Sequence, residues 1–432
     1  MASVFQPHAA GSTWRREIVA GTTTFATMAY IIVVNPAILE AAGIPFGPSM
    51  VATILTAAFG TLLMGLWANR PFAVAPYMGQ NAFVAYTVVQ GLGHTWQTAL
   101  GAIFVSGVLF TILALFRTRS WLAAAIPESL KLAIAVGIGL FLTFIGLATI
   151  GVVEAGPGAT PVAPGDFHDP AVLVGVAGVL AIVLLMRARV PGAILIGILA
   201  ASGLAFVLGI AAVPAAVFSP PPDLAPTLFA LDVDAALTWG FLSVVLTIFV
   251  LDLVDTIGTL TGLSVKAQLL DEGGRLPGIE RALQCDAFST VLGSLLGTTT
   301  SGAYIESAAG IEAGGRTGLT AIVTAAWFLA ALFFAPLLSA VPPSAYGPAL
   351  VVVGMLMFEP IARFRFDDIG EVAPAFLTIV LMGFTYDLAI GLTAGFVVWV
   401  LLKVLTGRAR EVPGGMWALA GLSALFYVLY PY

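Results

Sequence analysis

Apolar runs of about 17 to 25 residues recur from Glu17 almost to the C-terminus, separated by short polar breaks. Each is long enough to cross a hydrocarbon layer roughly 30 Å thick as a helix. A chain that is 59% hydrophobic and only 9% charged falls far short of the roughly one-quarter charged residues of a soluble domain. No gap between the runs could hold a large soluble domain. The reading is an all-α polytopic membrane protein. The N-terminal "MASVFQPHAAGSTWRREIVAG" lacks the short apolar core and small-residue cleavage site of a signal peptide, so the first helix is expected to direct insertion and Met1 to begin the mature protein. The single cysteine, Cys285, excludes an intrachain disulfide, and His8, His94 and His168 fall outside the apolar runs. No metal, thiol centre or cofactor is expected. A formal net charge of −6 sums both sides of a bilayer and says little about partners; none is expected to be a nucleic acid.

Basic residues test the span count, because Lys and Arg collect on the cytoplasmic side of short loops. The apolar runs predict helices at about 17–34, 49–67, 72–92, 96–116, 128–151, 171–187 and 191–211, then 238–263, 282–298, 299–314, 316–339, 343–362, 370–386 and 388–406. With Arg15 and Arg16 inside, every even-numbered connection carries positive charge: Arg70; Arg117, Arg119 and Lys131; Arg187 and Arg189; Lys266, Arg275 and Arg281; Arg316; Arg363 and Arg365; and finally Lys403, Arg408 and Arg410. The intervening connections, including 152–170 and 212–237, contain no Lys or Arg, so all seventeen obey one topology. Residues 1–16 are therefore expected in the cytoplasm and 212–237 outside. The leftover stretch 416–430 either lies in the interface or crosses as an extra helix.

Fourteen spans divide into seven (17–211) plus seven (238–406), followed by a tail, 407–432. The third span, "RPFAVAPYMGQNAFVAYTVVQGLG", and the tenth, "GTTTSGAYIESAAGIEAGG", occupy corresponding places. Both begin with extended-type sequence before turning helical, so both are read as broken. An odd-numbered unit re-enters from the opposite side when repeated, and paired broken helices in inverted repeats are how transporters build a midplane site. Non-helical backbone at that depth must be buried in protein or line a water-filled cavity.

Embedded acids point to the same place. Asp252 and Asp255 stand three apart on one face of "FVLDLVDTIGTLTGLS", followed by Gly258 and Gly262 at a spacing that permits close helix contact. With Glu306 they oppose insertion by roughly 8 to 10 kcal/mol if uncompensated. The bland alternative is buried struts between helices, and it weighs most for Asp252. Glu306 is expected in the first turn of a half-helix, where the dipole favours the anion and burial the acid. Asn81, near the other half-helix start, offers a donor and an acceptor or serves as a cap. Tyr304 and Tyr77 flank the region, to stack on a planar ligand or simply to pack. Glu128, Lys131, Glu312, Arg316 and Asp387 lie near span ends and are expected to have no substrate role.

Two acids without an embedded Lys or Arg disfavour an inorganic anion. A neutral planar heterocycle with several N–H donors fits better, its edge on carboxylates and amides and its face on an aromatic ring. Along nearly its whole length the chain also resembles the AzgA-like purine permeases of the nucleobase/ascorbate transporter (nucleobase:cation symporter-2) superfamily. The matching words are "AGTTTFATMAYIIVVNPAIL" (20–39), "MGQNAFVAYTVV" (78–89), "DLVDTIGTLTG" (252–262) and "LGTTTSGAYIESAAGIEAGGRTGLTA" (296–321). The resemblance implies the seven-plus-seven inverted-repeat fold, with a core domain of spans 1–4 and 8–11, a gate domain of spans 5–7 and 12–14, and elevator movement of the core. It implies proton-coupled uptake of hypoxanthine, guanine or adenine across the plasma (inner) membrane, often by a homodimer.

By the same resemblance Asp255 and Glu306 match the eighth- and tenth-span acids that hold the base. Asn81 matches the third-span asparagine, Asp252 an additional eighth-span acid, and Tyr304 a site position. The chain departs from the family pattern at "YMGQNA", where "GMGLNA" is expected, which puts Tyr77 and Gln80 beside the site. It departs again at "TTTSGAYIES", where a "TSTVTSYIES"-like run is expected; both changes bear on the choice among purines. The expected site is thus Glu306, Asp255, Asn81, Tyr304, Gln80 and Tyr77 for substrate, with Glu306, Asp255 and Asp252 as candidates for the proton. The competing readings are an anion (sulfate, bicarbonate or dicarboxylate) transporter of the same fold and an uncoupled nucleobase facilitator. An enzyme is least expected, for want of a nucleophile–base pair or metal cluster.

Overall fold

A computed structural model of the chain describes residues 11–115, 125–158, 160–238, 241–269 and 276–429. The expectations for His8, Arg117, Arg119 and Arg275, for residues 1–10 of the N-terminal tail and for 430–432 fall outside these residues. The elements are overwhelmingly helical, as apolar runs in lipid must be, because only a helix satisfies its backbone within one segment.

In chain order they are α1 (Trp14–Met28), α2 (Ile31–Glu40), α3 (Phe46–Leu66), β1 (Val74–Pro76), α4 (Met78–Ala82, running on through a wider-wound turn at Phe83–Gly91), α5 (Trp96–Leu115) and α6 (Glu128–Ile150). After the hairpin β2 (Val153–Ala155) and β3 (Val162–Pro164) come α7 (Pro170–Arg187), α8 (Ala193–Val207), α9 (Val233–Ala236), α10 (Leu242–Lys266), α11 (Ile279–Leu296), β4 (Ser301–Ala303) and α12 (Ser307–Glu312). The chain ends with α13 (Gly318–Ala331), α14 (Ala335–Ser339), α15 (Pro343–Leu356), α16 (Ile369–Phe384), α17 (Leu388–Leu405) and α18 (Gly414–Leu429). Among the described residues, nine helices are long and apolar enough to cross a membrane, counting α1 and α2 as one 27-residue segment.

That first segment is longer than the predicted 17–34 and is broken at Ala29 and Tyr30. There the chain tightens into i→i+3 bonds, Ile32 to Ala29 and Val33 to Tyr30, both at 3.1 Å.

Packing follows a two-fold exchange of the halves. Helix α3 lies against α13, and its counterpart α11 lies against α5; α1 meets α13 as α10 meets α5. Elsewhere α6 packs on its own counterpart α15, α6 on α16 as α15 on α7, and α16 on α17 as α7 on α8. Each contact maps onto another when segments one to seven are exchanged with eight to fourteen, which is what an inverted repeat requires. At the centre, β1 and β4 pair antiparallel with Ala75 opposite Gly302, so the two interrupted segments meet on the pseudo-axis.

A two-stranded ribbon leaves both outer edges bare, which hydrocarbon does not tolerate. The neighbouring helices supply the missing partners in matching fashion. Thr61 Oγ1 on α3 accepts from the Val74 N–H at 2.9 Å and donates to the Val74 carbonyl at 3.0 Å. Thr290 Oγ1 on α11 accepts from the Ser301 N–H and donates to its carbonyl, both at 3.0 Å. Ser307 Oγ accepts from the Ala73 N–H at 2.9 Å, and the buried Asp286 carboxylate accepts from the Ala303 N–H at 3.3 Å.

Candidate functional site

The ribbon aims the starts of α4 and α12 at one region, with α10 alongside. Tyr77 N–H donates to the Thr300 carbonyl at 3.0 Å and Tyr304 N–H to the Ala73 carbonyl at 2.9 Å, which pins the first residue beyond each strand. Gly302 is obligatory, because a Cβ there would run into the Tyr77 ring.

Two of the predicted residues, Gln80 and Asp255, form one hydrogen-bonded line with Thr300. Thr300 donates to Gln80 Oε1, which turns the Gln80 amide so that Nε2 donates to Asp255 Oδ2 at 3.3 Å. The amide reaching across to an acid is therefore that of Gln80, towards Asp255, and not that of Asn81. Asn81 is the fourth residue of α4, past the cap position, which Tyr77 occupies without a side-chain bond. It donates instead to Asn35 Oδ1. Asn35 Nδ2 in turn donates to Thr53 at 2.6 Å and Thr298 at 2.9 Å, and all of these groups are buried.

Glu306 occupies the position before α12 rather than its first turn and makes no capping bond. Its Oε1 accepts from the Tyr30 hydroxyl at 2.6 Å. Tyr304 lies among the acids, with Glu306 and Asp255 as its electrostatic neighbours. Its hydroxyl is committed to the Pro76 carbonyl at 2.6 Å, and its ring stacks on Tyr77, centroids 6.3 Å apart and planes 12° apart. The Tyr77 hydroxyl is 3.2 Å from Thr256 Oγ1. Both rings are buried, so Tyr77 packs as a core aromatic and the pair forms a wall.

Asp252 is wholly buried, whereas Asp255 and Glu306 are only half-buried. Gly258 and Gly262 differ from the expected helix seam: nothing approaches a Cβ at Gly258, and only the end of Ile305 comes within 3.8 Å of one at Gly262. Gly258, Thr261 and Gly262 are exposed, as is Ile305 beside Glu306. The open face of α10 thus runs from Asp255 towards Lys266, which pairs with Glu312 at 2.6 Å at the end of α12. Small residues here leave this face of α10 open instead of closing a helix contact.

The sequence reading did not assign Tyr30 or Asn35 to the site, although both stand inside the quoted word "AGTTTFATMAYIIVVNPAIL". An asparagine within an apolar run was the available signal. Glu17 and Asp286, both fully buried, were likewise passed over. Glu17 accepts from the Arg316 and Thr317 N–H groups at 3.0 and 3.3 Å and from the Thr320 hydroxyl at 2.6 Å, capping α13. No group of three or more His, Cys, Asp or Glu among the described residues is arranged to hold a metal ion.

Residues 15–404 match the Xan_ur_permease model, described as a permease family. A Methanocaldococcus jannaschii protein named only as a permease is 47% identical over 418 residues, 97% of this chain and 96% of its own. The adenine permease AdeQ of Escherichia coli is 41% identical over 97% of this chain and 94% of its own, and the guanine/hypoxanthine permease PbuG of Bacillus subtilis 40% over 99% of each. Among solved structures, the transmembrane domain of the cyanobacterial bicarbonate transporter BicA superposes with a TM-score of 0.66 at 15% identity, covering 88% of this chain and 97% of that one.

Proposed function

The chain belongs to this family of purine permeases, and on that footing we propose that it is a secondary active transporter that couples uptake of a purine nucleobase to protons. The observation that carries the reading is the pair of half-buried carboxylates, Asp255 and Glu306, beside the Tyr77–Tyr304 wall. The hydrogen bonds that reach these carboxylates come from Gln80 and Tyr30 and not from Lys or Arg. An acceptor pair of this kind suits the N–H edge of a base and repels an anion. BicA shares the fold at an identity that says nothing of substrate, and the acceptor pair is what favours the nucleobase reading over the anion one.

In this mechanism the base lies against the Tyr304 side of the wall, and Asp255 and Glu306 accept its N–H groups. Gln80, held by Thr300, and Asn81, held by Asn35, fix the orientation. A proton on one of the acids, with Asp252 a further candidate, removes charge before the site crosses the membrane interior. The moving core comprises the first to fourth and eighth to eleventh segments, the static gate the remainder, and the carrier works as a homodimer in the plasma membrane with its N-terminus in the cytoplasm. The extensive helix contacts fall within two groups, α1, α3, α5, α11 and α13 in one and α6, α7, α8, α15, α16 and α17 in the other, which supports that division. Gly258 and Gly262 line the route between the site and the Lys266 end.

The test is uptake of labelled hypoxanthine into proteoliposomes with and without an inward proton gradient, competed by adenine, guanine, xanthine, uracil and sulfate. Gradient-stimulated accumulation competed by purines alone is expected, and Glu306→Gln is expected to abolish the stimulation. Uptake that never exceeds the external concentration would instead identify a facilitator, and sulfate transport without purine competition an anion carrier.

A further inference from the structure

Tyr30 stands where the first segment breaks, between α1 and α2, with 1% of its surface exposed. Its hydroxyl donates to Glu306 Oε1 at 2.6 Å, within the range of an O–H···O⁻ bond strengthened by charge. The same break touches Glu306 a second time, through Thr27 Oγ1 and the Glu306 carbonyl at 3.4 Å. A phenol hydroxyl has one proton to give, and giving it here commits one oxygen of a half-buried carboxylate. A donor to a carboxylate favours the charged form.

The other titratable groups around Glu306 are disposed differently. Tyr304 belongs to its own segment and has already given its proton to Pro76. Asp255 on α10 acts on the same Tyr304 and Asp252 lies one turn away on that helix. Lys266 is paired with Glu312 at the far end of α12. On α1, Arg16 lies against Gly314 and Glu17 is occupied in capping α13. The side-chain hydrogen bond to the Glu306 carboxylate comes from Tyr30.

We infer that Tyr30 is the positioning residue that keeps Glu306 a hydrogen-bond acceptor for the substrate, and that its hydroxyl sets the pH at which that acceptor is lost. The substrate half of this statement rests on the function proposed above; the Tyr30–Glu306 half does not. The sign follows from the bond: without the donor the anion is less favoured, so Glu306 takes up its proton at higher pH. Binding that needs the anion then fails earlier as pH falls. Losing one hydrogen bond to a charged group corresponds to a shift of about one to two pH units.

The experiment is an infrared pH titration of the full-length protein in nanodiscs, following the protonated-carboxyl band that disappears in Glu306→Gln, together with hypoxanthine binding across the same pH range. In Tyr30→Phe the band midpoint and the acidic limb of the binding curve both move alkaline by about one to two units, while affinity at the alkaline plateau stays within about threefold of the parent. In the Glu306→Gln background Tyr30→Phe shifts nothing further. A folded Tyr30→Phe protein with an unmoved midpoint would overturn the inference, as would a uniform loss of affinity at every pH. Should that variant misfold, a more acidic fluorotyrosine at position 30 keeps the ring and must move the midpoint the other way; an unmoved midpoint there is equally fatal. A shifted band in a protein that binds no purine would leave Tyr30 in its role and remove the proposed substrate.

Discussion

Asn35 sits at the middle of a polar chain that runs Asn81, Asn35, Thr53 and Thr298 through four different segments. None of its atoms is exposed, and a buried polar group stripped of its partner costs about 1–3 kcal/mol. Asn35→Ala is therefore expected to lower hypoxanthine affinity at least tenfold by releasing the Asn81 amide, while Asn35→Asp, which keeps the acceptor, loses less; binding to purified protein under equal folding yield measures both. The acids of this site were legible because a carboxylate in an apolar run is an anomaly that demands compensation. Tyr30 was less legible because a phenol in such a run is ordinary, and the Asn35 amide, although a signal, names no partner; only the fold brings the two residues to Glu306 and Asn81. Gln80 was expected beside the site, and its direction towards Asp255 depends on the Thr300 hydroxyl, which no spacing rule reveals.

The strands β1 and β4 illustrate how far a local pattern reaches. Their small, Pro- and Thr-containing composition marks them as non-helical, and burial of such backbone follows from the solvent. What composition does not contain is the pairing partner, 227 residues away at Ala75 and Gly302, or the two threonines that close the ribbon's edges. Because Thr61 and Thr290 each serve one N–H and one carbonyl of a buried strand, replacing either with the isosteric valine strands two backbone groups without filling or emptying space. Thr61→Val and Thr290→Val are each expected to destabilise by about 2–4 kcal/mol, twice a typical lower cost for an orphaned group. The check is thermal unfolding in detergent, and the pseudo-symmetry requires the two losses to be similar. A large loss for one and none for the other would mean that the ribbon is held unequally.

The connection 212–237 joins the two halves, and along its length it is fastened to one side. Ser219 N–H donates to the Phe333 carbonyl at 3.0 Å, Phe229 N–H to the Leu295 carbonyl at 2.8 Å, and Asp232 N–H to the Gln97 carbonyl at 2.9 Å, while Thr227 Oγ1 donates to the Leu296 carbonyl at 2.8 Å. These acceptors follow or belong to α13, α11 and α5, all helices of the proposed moving core, so the connection must travel with the core if the core moves. The contact between the two packed groups is of another kind: a Cβ at Gly79 would lie 3.6 Å from Ile138 Cβ, joining α4 to α6. The chain's one cysteine is Cys285, so a Cys285→Ala background allows paired cysteines to be read without interference. Gly79→Cys with Ile138→Cys has the Cβ separation of a disulfide, about 3.5–4.5 Å, and Gly47→Cys with Pro222→Cys, 3.2 Å apart, is within a few tenths of an ångström of it. Oxidation is expected to stop uptake in the first pair and leave most of it in the second, with a reductant restoring the first. The contrast is what separates elevator movement from local gating, because a rigid frame with a small gate would survive both cross-links, and a connection that flexes during transport would make the second as inhibitory as the first.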